Sequence, residues 1–370
     1  MSLILIVFFA VLAVLLLGCL VVLGCDFVPM GLTFVKRLHI GRYSDEAQWR
    51  AAAEKKALQW LKKMPPLPIT DETHYTLLPR LQGKYVNRDF LCWQQASLLF
   101  GLEESAEAKK LTRAYFEKCD VANAPYTIGN TMLLYALLKN GFAEDPAVKA
   151  AADKYAEAIL RLAGSGTLPY QPKGINRFVD TLGMVCPFLT QYALLYSNQD
   201  ALSLVKRQMD EYASFGIHPA TGLPVHCFNG QTKAPLGVYG WGRGCGWYAI
   251  ALAECCDLLD GKDAYAAVLN ERMERFANAL QPYQNKNGSF NCLLGAASRA
   301  DSSATAVLGW FLSRSKKTEP ANKAKQYLMS VTRRNGEIDF AQGDTMGLCN
   351  YSRRFEPLPF AQGFALRIGK

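Results

Sequence analysis

Apolar positions recur along most of this chain with the period of an α-helix. The first such stretch covers residues 44–63 and begins with a Ser-Asp capping signal followed by acidic first-turn residues. It then places Trp49, Ala53, Ala57 and Trp60 on one helical face. A cluster of prolines follows directly and ends the helix. The pattern therefore predicts an amphipathic helix at the start of the folded part of the chain.

After this helix, two kinds of predicted helix alternate. One kind is charged and amphipathic, whereas the other has small or polar residues at its start and a body with few charges. Since only a helix that is buried on all sides can carry so few charges, the second kind is expected to form an inner ring within the first. The outer helices are predicted at 44–63, 104–119, 144–163, 199–215, 263–281 and 317–333, and the inner helices at 90–101, 127–141, 178–197, 241–259, 301–314 and 359–367.

Six helical hairpins that close on themselves form an (α/α)6 barrel. This all-α fold is predicted as one domain over residues 45–370. An open helical solenoid is the alternative, but it would have a more uniform repeat and polar capping units. In a closed barrel, the loops that lead into the inner helices surround one mouth, and the unusual residues of this chain cluster in those loops.

The N-terminal 25 residues differ from the rest. Leu3 to Cys25 is a run of 23 uncharged, almost wholly apolar residues, which is long enough to cross a bilayer as a helix. A cleaved signal peptide typically has Lys or Arg before its apolar run, and none precedes this one. The sequence thus predicts a transmembrane anchor over residues 1–25 and a juxtamembrane linker over residues 26–44.

Charge and cysteine usage bear on partners and location. The net charge of +9 is spread over 41 basic and 32 acidic residues without a basic block, which argues against nucleic-acid binding and favours a lipid surface or an anionic substrate. Nine scattered cysteines outside the anchor are typical of free thiols in a reducing compartment. Lys36, Arg37 and Arg42 follow the anchor. Together with the free cysteines, these charges favour a cytoplasmic location of the folded domain, and an extracytoplasmic location is the alternative.

Asp180 is the first candidate for chemistry. In FVDTLGMVCPFL it has apolar neighbours, which disfavour a charged carboxylate and suit a general acid. An N-cap role at the following helix is an equally good interpretation. His226, in TGLPVHCFNG, is expected in a loop rich in turn residues, where the residues alone favour a structural hydrogen bond over a role at a site.

The stretch YGWGRGCGWYAIAL places Arg243 between Trp241 and Trp247. Glycines allow close approach of a ligand, tryptophan faces stack on sugars, and a guanidinium pairs with a carboxylate. The alternative is a cation–π contact of Arg243 on Trp241 that only closes the loop. Polar or aromatic residues at two further inner-helix starts complete the ring, although each alone suits a cap or core role: Trp93, Gln94, Asp301, Ser302 and Ser303.

The segments FVDTLGMVCPFL, GLPVHCFN, WGRGCGWYAIAL and ADSSATAVLGWFL resemble, in this order, those of the unsaturated rhamnogalacturonyl and glucuronyl hydrolases of glycoside hydrolase families 88 and 105. The resemblance covers roughly residues 45–368 and implies an (α/α)6 barrel. It also implies hydration of the C4–C5 double bond of a 4,5-unsaturated uronic acid, with release of the neighbouring sugar and without a cofactor or metal.

The resemblance assigns roles to the candidate residues. Asp180 would protonate the alkene and then deprotonate the attacking water, and Arg243 would contact the uronate carboxylate or a ring hydroxyl. Trp241 and Trp247 would stack on the sugar, and His226 would form a hydrogen bond near the unsaturated ring. The implied partner is an oligosaccharide with an acidic sugar.

The chain departs from the family pattern at three places. A second Asp expected before the second inner helix is missing from NAPYTIGN, where Asp120 is the nearest carboxylate. The pattern H-x-W-D ends here in Asn229, and R-G-N-G-W contains Cys245. Two hypotheses follow: a membrane-anchored hydrolase with Asp180 as acid and base, or a catalytically inactive sugar-binding or scaffold barrel of a polysaccharide system.

Overall fold

The computed structural model describes residues 3–86 and 91–370. Two helices, α1 (Leu3–Arg37) and the short α3 (Leu77–Leu81), lie outside a double ring of longer helices. The outer ring consists of α2 (Glu46–Lys62), α5 (Ala106–Lys118), α7 (Pro146–Ala163), α9 (Gln199–Phe215), α11 (Tyr265–Leu280) and α13 (Thr318–Ser330). The inner ring consists of α4 (Leu91–Gly101), α6 (Ile128–Lys139), α8 (Val179–Tyr196), α10 (Gly242–Leu259), α12 (Ser302–Arg314) and α14 (Pro359–Arg367).

The inner helices form a closed ring. Each packs against the next in chain order, and α14 packs back against α4. This closure confirms the predicted (α/α)6 barrel and rules out the open solenoid. Phe90, with which the first inner helix was expected to begin, lies outside the described residues, as do Met1 and Ser2 of the predicted anchor.

The two rings differ in burial as the charge pattern predicts. In α10, every residue from Gly242 to Cys255 is buried, whereas α7 buries only one face. The amphipathic α7 begins at a regular cap, since Asp145 accepts hydrogen bonds from the backbone N–H groups of Ala147 and Val148. The hydrophobic core therefore lies within and between the rings.

Inner helices approach each other closely where a glycine faces the neighbouring backbone. A Cβ atom at Gly183 of α8 would lie 2.6 Å from the carbonyl oxygen of Trp247 in α10. At Gly363 of α14, the corresponding distance to the carbonyl oxygen of Ser97 in α4 would be 1.9 Å. Any larger residue would push these helices apart, so the two glycines help to close the ring.

Short strands between the helices build the mouth of the barrel, and the helical pattern did not reveal them. β1 (Asn176–Phe178), β2 (Val225–Asn229) and β3 (Pro235–Tyr239) form an antiparallel sheet. The expectation that His226 lies in a loop is wrong, because it lies on β2. The C-terminal segment adds two pairs: β4 (Ala341–Gln342) with β7 (Phe355–Glu356), and β5 (Thr345–Gly347) with β6 (Asn350–Tyr351).

The N-terminal helix α1 has 35 residues, a length of about 52 Å at about 1.5 Å per residue. It continues through part of the predicted linker as far as Arg37. By length and composition alone, it could cross a membrane.

Polar contacts of Asp26 and Arg37 attach the C-terminal part of α1 to the rest of the protein. The Asp26 carboxylate accepts bonds from the backbone N–H groups of Tyr75 and Thr76, at 2.6 and 2.9 Å. The Arg37 guanidinium forms a two-pronged ion pair with Asp339, at 2.8 and 2.9 Å.

Candidate functional site

A cavity of about 220 Å³ opens at the mouth where the inner helices begin. It brings together six of the seven predicted site residues: Trp93, Asp180, His226, Trp241, Arg243 and Trp247. A larger cleft of about 350 Å³ lies between α9 and α11 and contains none of them. The remaining wall of the mouth cavity consists of Tyr170, Gln171, Phe178, Met184, Asp344, Thr345, Gly347 and Leu348.

Gln94 lies away from this cavity. Its side chain is fully buried, and its Oε1 accepts a hydrogen bond of 2.7 Å from the backbone N–H of Phe360. Phe360 is in the first turn of α14, so Gln94 satisfies one of the free N–H groups at that helix start. Successive helical residues point in directions about 100° apart, which is why Trp93 faces the cavity and Gln94 faces the neighbouring helix.

Asp180 lies in the first turn of α8, where the N-cap residue is Phe178 without a side-chain capping bond. The N-cap interpretation of Asp180 is therefore wrong. Its Oδ2 atom lies 3.5 Å from Nε2 of His226 and has no hydrogen-bond partner, although it is buried. A carboxyl oxygen left in this state is available to a ligand.

His226 is held between Asp180 and a residue that the sequence did not indicate, Tyr351. Nδ1 of His226 lies 2.8 Å from the Tyr351 hydroxyl. Burial raises the pKa of Tyr351, with Cys349 and Asp180 contributing, so the phenol keeps its proton at neutral pH. A phenol that donates to Nδ1 leaves the Nε2 proton facing Asp180.

The aromatic side chains at this end of the barrel form a packed wall. The rings of His226 and Trp241 lie 4.5 Å apart, and those of Trp241 and Tyr351 lie 5.3 Å apart. Deeper in the cavity, Trp93 and Trp247 meet edge to face at 5.5 Å. Because Trp93, Trp241 and Trp247 are at most 3% exposed, only small apolar parts of their rings border the cavity.

Arg243 is already engaged by the C-terminal segment. Its terminal nitrogens donate to the carbonyl oxygens of Gln342 and Gly343, at 2.6 and 2.7 Å. The guanidinium carbon also lies 5.5 Å from the ring centre of Trp241, so the alternative cation–π contact is present. A contact with a substrate carboxylate would have to use the remaining N–H groups, and this role of Arg243 stays a prediction.

Asp344 is a second carboxyl group on the cavity, and the sequence did not indicate it. Its Oδ2 atom is buried without a hydrogen-bond partner. Burial raises the pKa of the Asp344 carboxyl, and the positive charge of Arg243 opposes this only in part. Burial also raises the pKa of the Tyr170 phenol, and Asp180 and Asp344 raise it further, so Tyr170 lies close to both carboxyls.

Three buried polar atoms on the cavity wall thus lack partners: Nε1 of Trp93, Oδ2 of Asp180 and Oδ2 of Asp344. Buried polar groups in folded proteins are almost always hydrogen-bonded. A donor and two carboxyl groups left open around one cavity indicate a ligand rich in hydroxyl groups, which both donate and accept hydrogen bonds.

The other acidic and polar candidates have structural roles. Asp120 accepts a bond from the Asn123 side chain at 2.8 Å in an exposed turn and does not reach the cavity. Asp301 caps α12 and also accepts the backbone N–H of Gln342 at 2.9 Å, which ties the C-terminal segment to the barrel. Among residues 3–86 and 91–370, no group of three His, Cys, Asp or Glu side chains is placed to hold a metal ion.

Comparisons with known proteins identify the family and the fold. The family model described as Glycosyl Hydrolase Family 88 matches residues 104–347, a range that contains both cavity carboxyls. The unsaturated rhamnogalacturonyl hydrolase YesR of Bacillus subtilis (strain 168) is 22% identical over 331 residues, which cover 82% of this chain and 96% of YesR.

Solved structures share the fold. A possible member of the GH105 family from Salmonella enterica serovar Paratyphi A has a TM-score of 0.74 and 18% identity, covering 88% of this chain and 94% of that one. The unsaturated glucuronyl hydrolase of Bacillus sp. GL1, responsible for the degradation of glycosaminoglycan, has a TM-score of 0.61 and 14% identity, covering 86% and 93%.

Proposed function

Because this chain belongs to glycosyl hydrolase family 88, we propose that it hydrates the C4–C5 double bond of a terminal unsaturated uronic acid and releases the adjacent sugar of an oligosaccharide. The protein is a glycoside hydrolase of the unsaturated uronyl hydrolase kind. The observation that carries the proposed reaction is the unpartnered Asp180 carboxyl beside His226 in an aromatic-walled cavity.

Asp180 acts first as the acid. Its proton moves to C4 of the electron-rich alkene, and positive charge develops at C5 and the ring oxygen. The resulting carboxylate then takes a proton from the water that attacks C5, which restores the acid and forms a hemiketal. Opening of the hemiketal breaks the bond between C5 and the ring oxygen and leaves a hemiacetal at C1. Collapse of this hemiacetal to an aldehyde breaks the glycosidic bond and releases the neighbouring sugar, so one water is consumed and Asp180 is regenerated.

The neighbours of Asp180 orient this proton transfer. His226, fixed by Tyr351, presents a ring nitrogen to the Asp180 carboxyl and limits the directions in which that carboxyl turns. Trp93, Trp241 and Trp247 give the sugar ring an apolar surface to pack against. Proton transfer by one positioned carboxyl is worth roughly 10²- to 10⁴-fold in rate.

The test is the substitution Asp180→Asn, with the loss of the alkene's near-ultraviolet absorbance as the assay on unsaturated disaccharides. We expect a decrease in kcat of about 10²- to 10⁴-fold with little change in the melting temperature. Asp200→Asn is a matched control, because Asp200 occupies the first turn of the outer helix α9 and is exposed.

Two outcomes would contradict this proposal in different ways. Activity retained in Asp180→Asn would show that another group is the acid. Oligosaccharide binding by the wild-type protein in calorimetry, with no turnover of any unsaturated substrate, would support an inactive sugar-binding or scaffold barrel instead.

We further propose that α1 anchors the enzyme in a membrane. The helix is long and apolar enough to span a bilayer, and its apolar side chains are exposed. Because Asp26 and Arg37 attach it to the barrel, the anchor would hold the domain at a fixed position beside the bilayer. Fractionation of expressing cells tests this, since a spanning anchor resists alkaline carbonate extraction and yields only to detergent.

The orientation of the anchor is a separate proposal. Lys36, Arg37 and Arg42 follow the apolar run and favour a cytoplasmic barrel by the positive-inside rule. The charge of Arg37 is paired with Asp339, which weakens its contribution to this bias. Protease protection of the C-terminus in sealed cells and in inverted vesicles would decide the orientation.

A further inference from the structure

We propose that Asp344 is a specificity-determining residue: its protonated carboxyl group donates a hydrogen bond to the carboxylate of the substrate's uronic acid. The inference rests on the proposed function, because it names the residue that recognises the acidic group of that substrate. It goes beyond the family resemblance, which indicates no role for the C-terminal segment of this chain.

The position of Asp344 is fixed from both sides. Arg243 donates to the carbonyl oxygen of Gly343 at 2.7 Å and lies 3.5 Å from the hydroxyl of Thr345, the residues before and after Asp344. Asp301 accepts the N–H of Gln342 at 2.9 Å and secures the same segment from α12. Two charged side chains of the inner ring therefore hold this short stretch so that Asp344 lines the cavity.

The surroundings of Asp344 favour the neutral acid. Oδ2 is buried and unpartnered, and an ionised carboxylate without partners is strongly disfavoured in such a place. Arg243, whose positive charge acts on Asp344, directs its terminal nitrogens to backbone carbonyls. The titratable and charged groups around Asp344 are Tyr170, Asp180, His226 and Arg243 in the cavity and the paired Arg354 and Glu356 behind it.

The protonation state decides how Asp344 meets an anionic sugar. An ionised Asp344 would repel the uronate, because two negative charges would then meet in one small cavity. A protonated Asp344 instead donates to the uronate, and hydrogen bonds between an acid and a carboxylate are short and strong. Protonation of Asp344 thus replaces a repulsive charge–charge contact with an attractive hydrogen bond.

This arrangement gives the site a second carboxyl group from an unexpected part of the chain. The family pattern places its second acidic residue before the second inner helix, where this chain has Asn123, Ala124 and Pro125. Here the second carboxyl comes from the segment between β4 and β5, more than 200 residues further along.

The test compares Asp344→Asn with the wild type across mildly acidic to alkaline pH. Asparagine keeps the size and an N–H donor but cannot ionise. We expect the wild-type KM for an unsaturated disaccharide to rise up to tenfold per pH unit once Asp344 ionises, whereas the KM of Asp344→Asn stays flat. The kcat of this variant should remain within about threefold of the wild type, because the acid Asp180 is intact.

Further variants complete the test. Asp344→Ala removes the donor and should raise KM at least tenfold at acidic pH, where the wild-type carboxyl is protonated, with no further rise as the pH increases. Asp257→Asn, on the exposed far end of α10, should reproduce the wild-type profile. Identical KM–pH profiles for Asp344→Asn and the wild type would overturn the proposal. A large fall in kcat of Asp344→Asn with unchanged KM would also overturn it, since Asp344 would then be a catalytic acid.

Failure of the proposed function can be told apart from failure of this inference. If the wild type turns over no unsaturated substrate, calorimetry with D-glucuronate and the neutral D-glucose still tests Asp344. Preference for glucuronate that weakens with rising pH in the wild type, but not in Asp344→Asn, supports the inference. Equal binding of both sugars by the wild type would overturn it.

Discussion

Helix α10 connects two buried polar sites that have opposite properties. Near its start, Arg243 faces the cavity in which the carboxyl oxygens of Asp180 and Asp344 lack partners. Eleven residues further along, about 17 Å at the helical rise, Glu254 is also buried but is surrounded by partners. Its carboxylate forms ion pairs with Lys139 at 2.9 Å and Arg367 at 2.6 Å and accepts a hydrogen bond from Tyr135.

The two sites show what burial does to a carboxyl with and without compensation. Burial alone would raise the pKa of Glu254, but Arg367, Lys139 and Tyr135 outweigh it and hold this pKa well below the ordinary range. At Asp344, burial dominates and raises the pKa. The end of the barrel around Glu254, opposite the mouth, is called the closed end here, and the mouth with Asp180 and Asp344 is called the open end. The closed end thus uses its carboxylate for stability, whereas the open end leaves its carboxyls free to interact with a ligand.

The largest expected effect is on stability, at the closed end. Glu254→Gln leaves the charges of Lys139 and Arg367 without their buried partner, and removing one member of a buried ion pair costs about 3–5 kcal/mol. We expect urea unfolding to show a loss of this size, while kcat of the folded protein stays near the wild-type value. Asp257→Asn, which breaks the exposed pair with Arg314, should cost only about 0–1 kcal/mol.

The acid side of the stability profile tests the same pair. Because the pKa of Glu254 is lowered from 4.5, its contribution to the free energy of unfolding is present above that pH and is lost as the pH falls towards the lowered native value. Below pH 4.5, the ordinary pKa of a glutamate, the wild type should therefore lose stability more steeply with falling pH than Glu254→Gln does. Parallel profiles would show that Glu254 is not held ionised in the native protein.

At the open end, Arg243→Ala should have a smaller effect on stability and a larger one on substrate binding. The variant releases the carbonyl oxygens of Gln342 and Gly343, and hydrogen bonds from a charged group are worth about 1.5–3 kcal/mol. The C-terminal segment would lose its fixed position, so we expect KM to rise at least tenfold in steady-state kinetics. An unchanged KM would contradict a positioning role for Arg243.

Tyr351→Phe tests the hydrogen bond to His226 without altering the aromatic packing. We expect kcat/KM to fall by an amount equivalent to about 0.5–1.5 kcal/mol of transition-state stabilisation, because His226 is then less firmly oriented towards Asp180. Steady-state kinetics and thermal melting would be measured together. A fall in melting temperature without any change in kcat/KM would place Tyr351 in stability alone.

The smallest effect is expected for the stability of Asp344→Asn. The Asp344 pKa is raised from 3.8, so the native state keeps this proton to higher pH than the unfolded chain does, and the wild type loses stability as the pH rises through that range. Asparagine cannot ionise, so the variant should be slightly more stable than the wild type at neutral pH in urea unfolding. Destabilisation at neutral pH would indicate an ionised, paired Asp344.

The sequence by itself determined the helical architecture. Amphipathic and apolar helices leave a local signal, because each helix repeats its burial pattern every few residues. All six inner and six outer helices were predicted, with bounds that differ from the structure by a few residues. Asp180 and the Trp-Arg-Trp stretch were found because their residue types are unusual at the starts of apolar helices, whereas the role of His226 was indicated by the family resemblance.

Only the tertiary structure decided which groups share the site. The strands at the mouth have two to five residues, too few for a periodic signal. Tyr351 and Asp344 come from a C-terminal segment about 100 residues after Arg243, and no local pattern indicates that this segment returns to the mouth. Helix formation depends on near neighbours in the sequence, whereas the partners of a buried charge depend on how distant segments pack. This packing placed Asp344 in the cavity, and it set the helix α4 so that Trp93 faces the cavity and Gln94 faces α14.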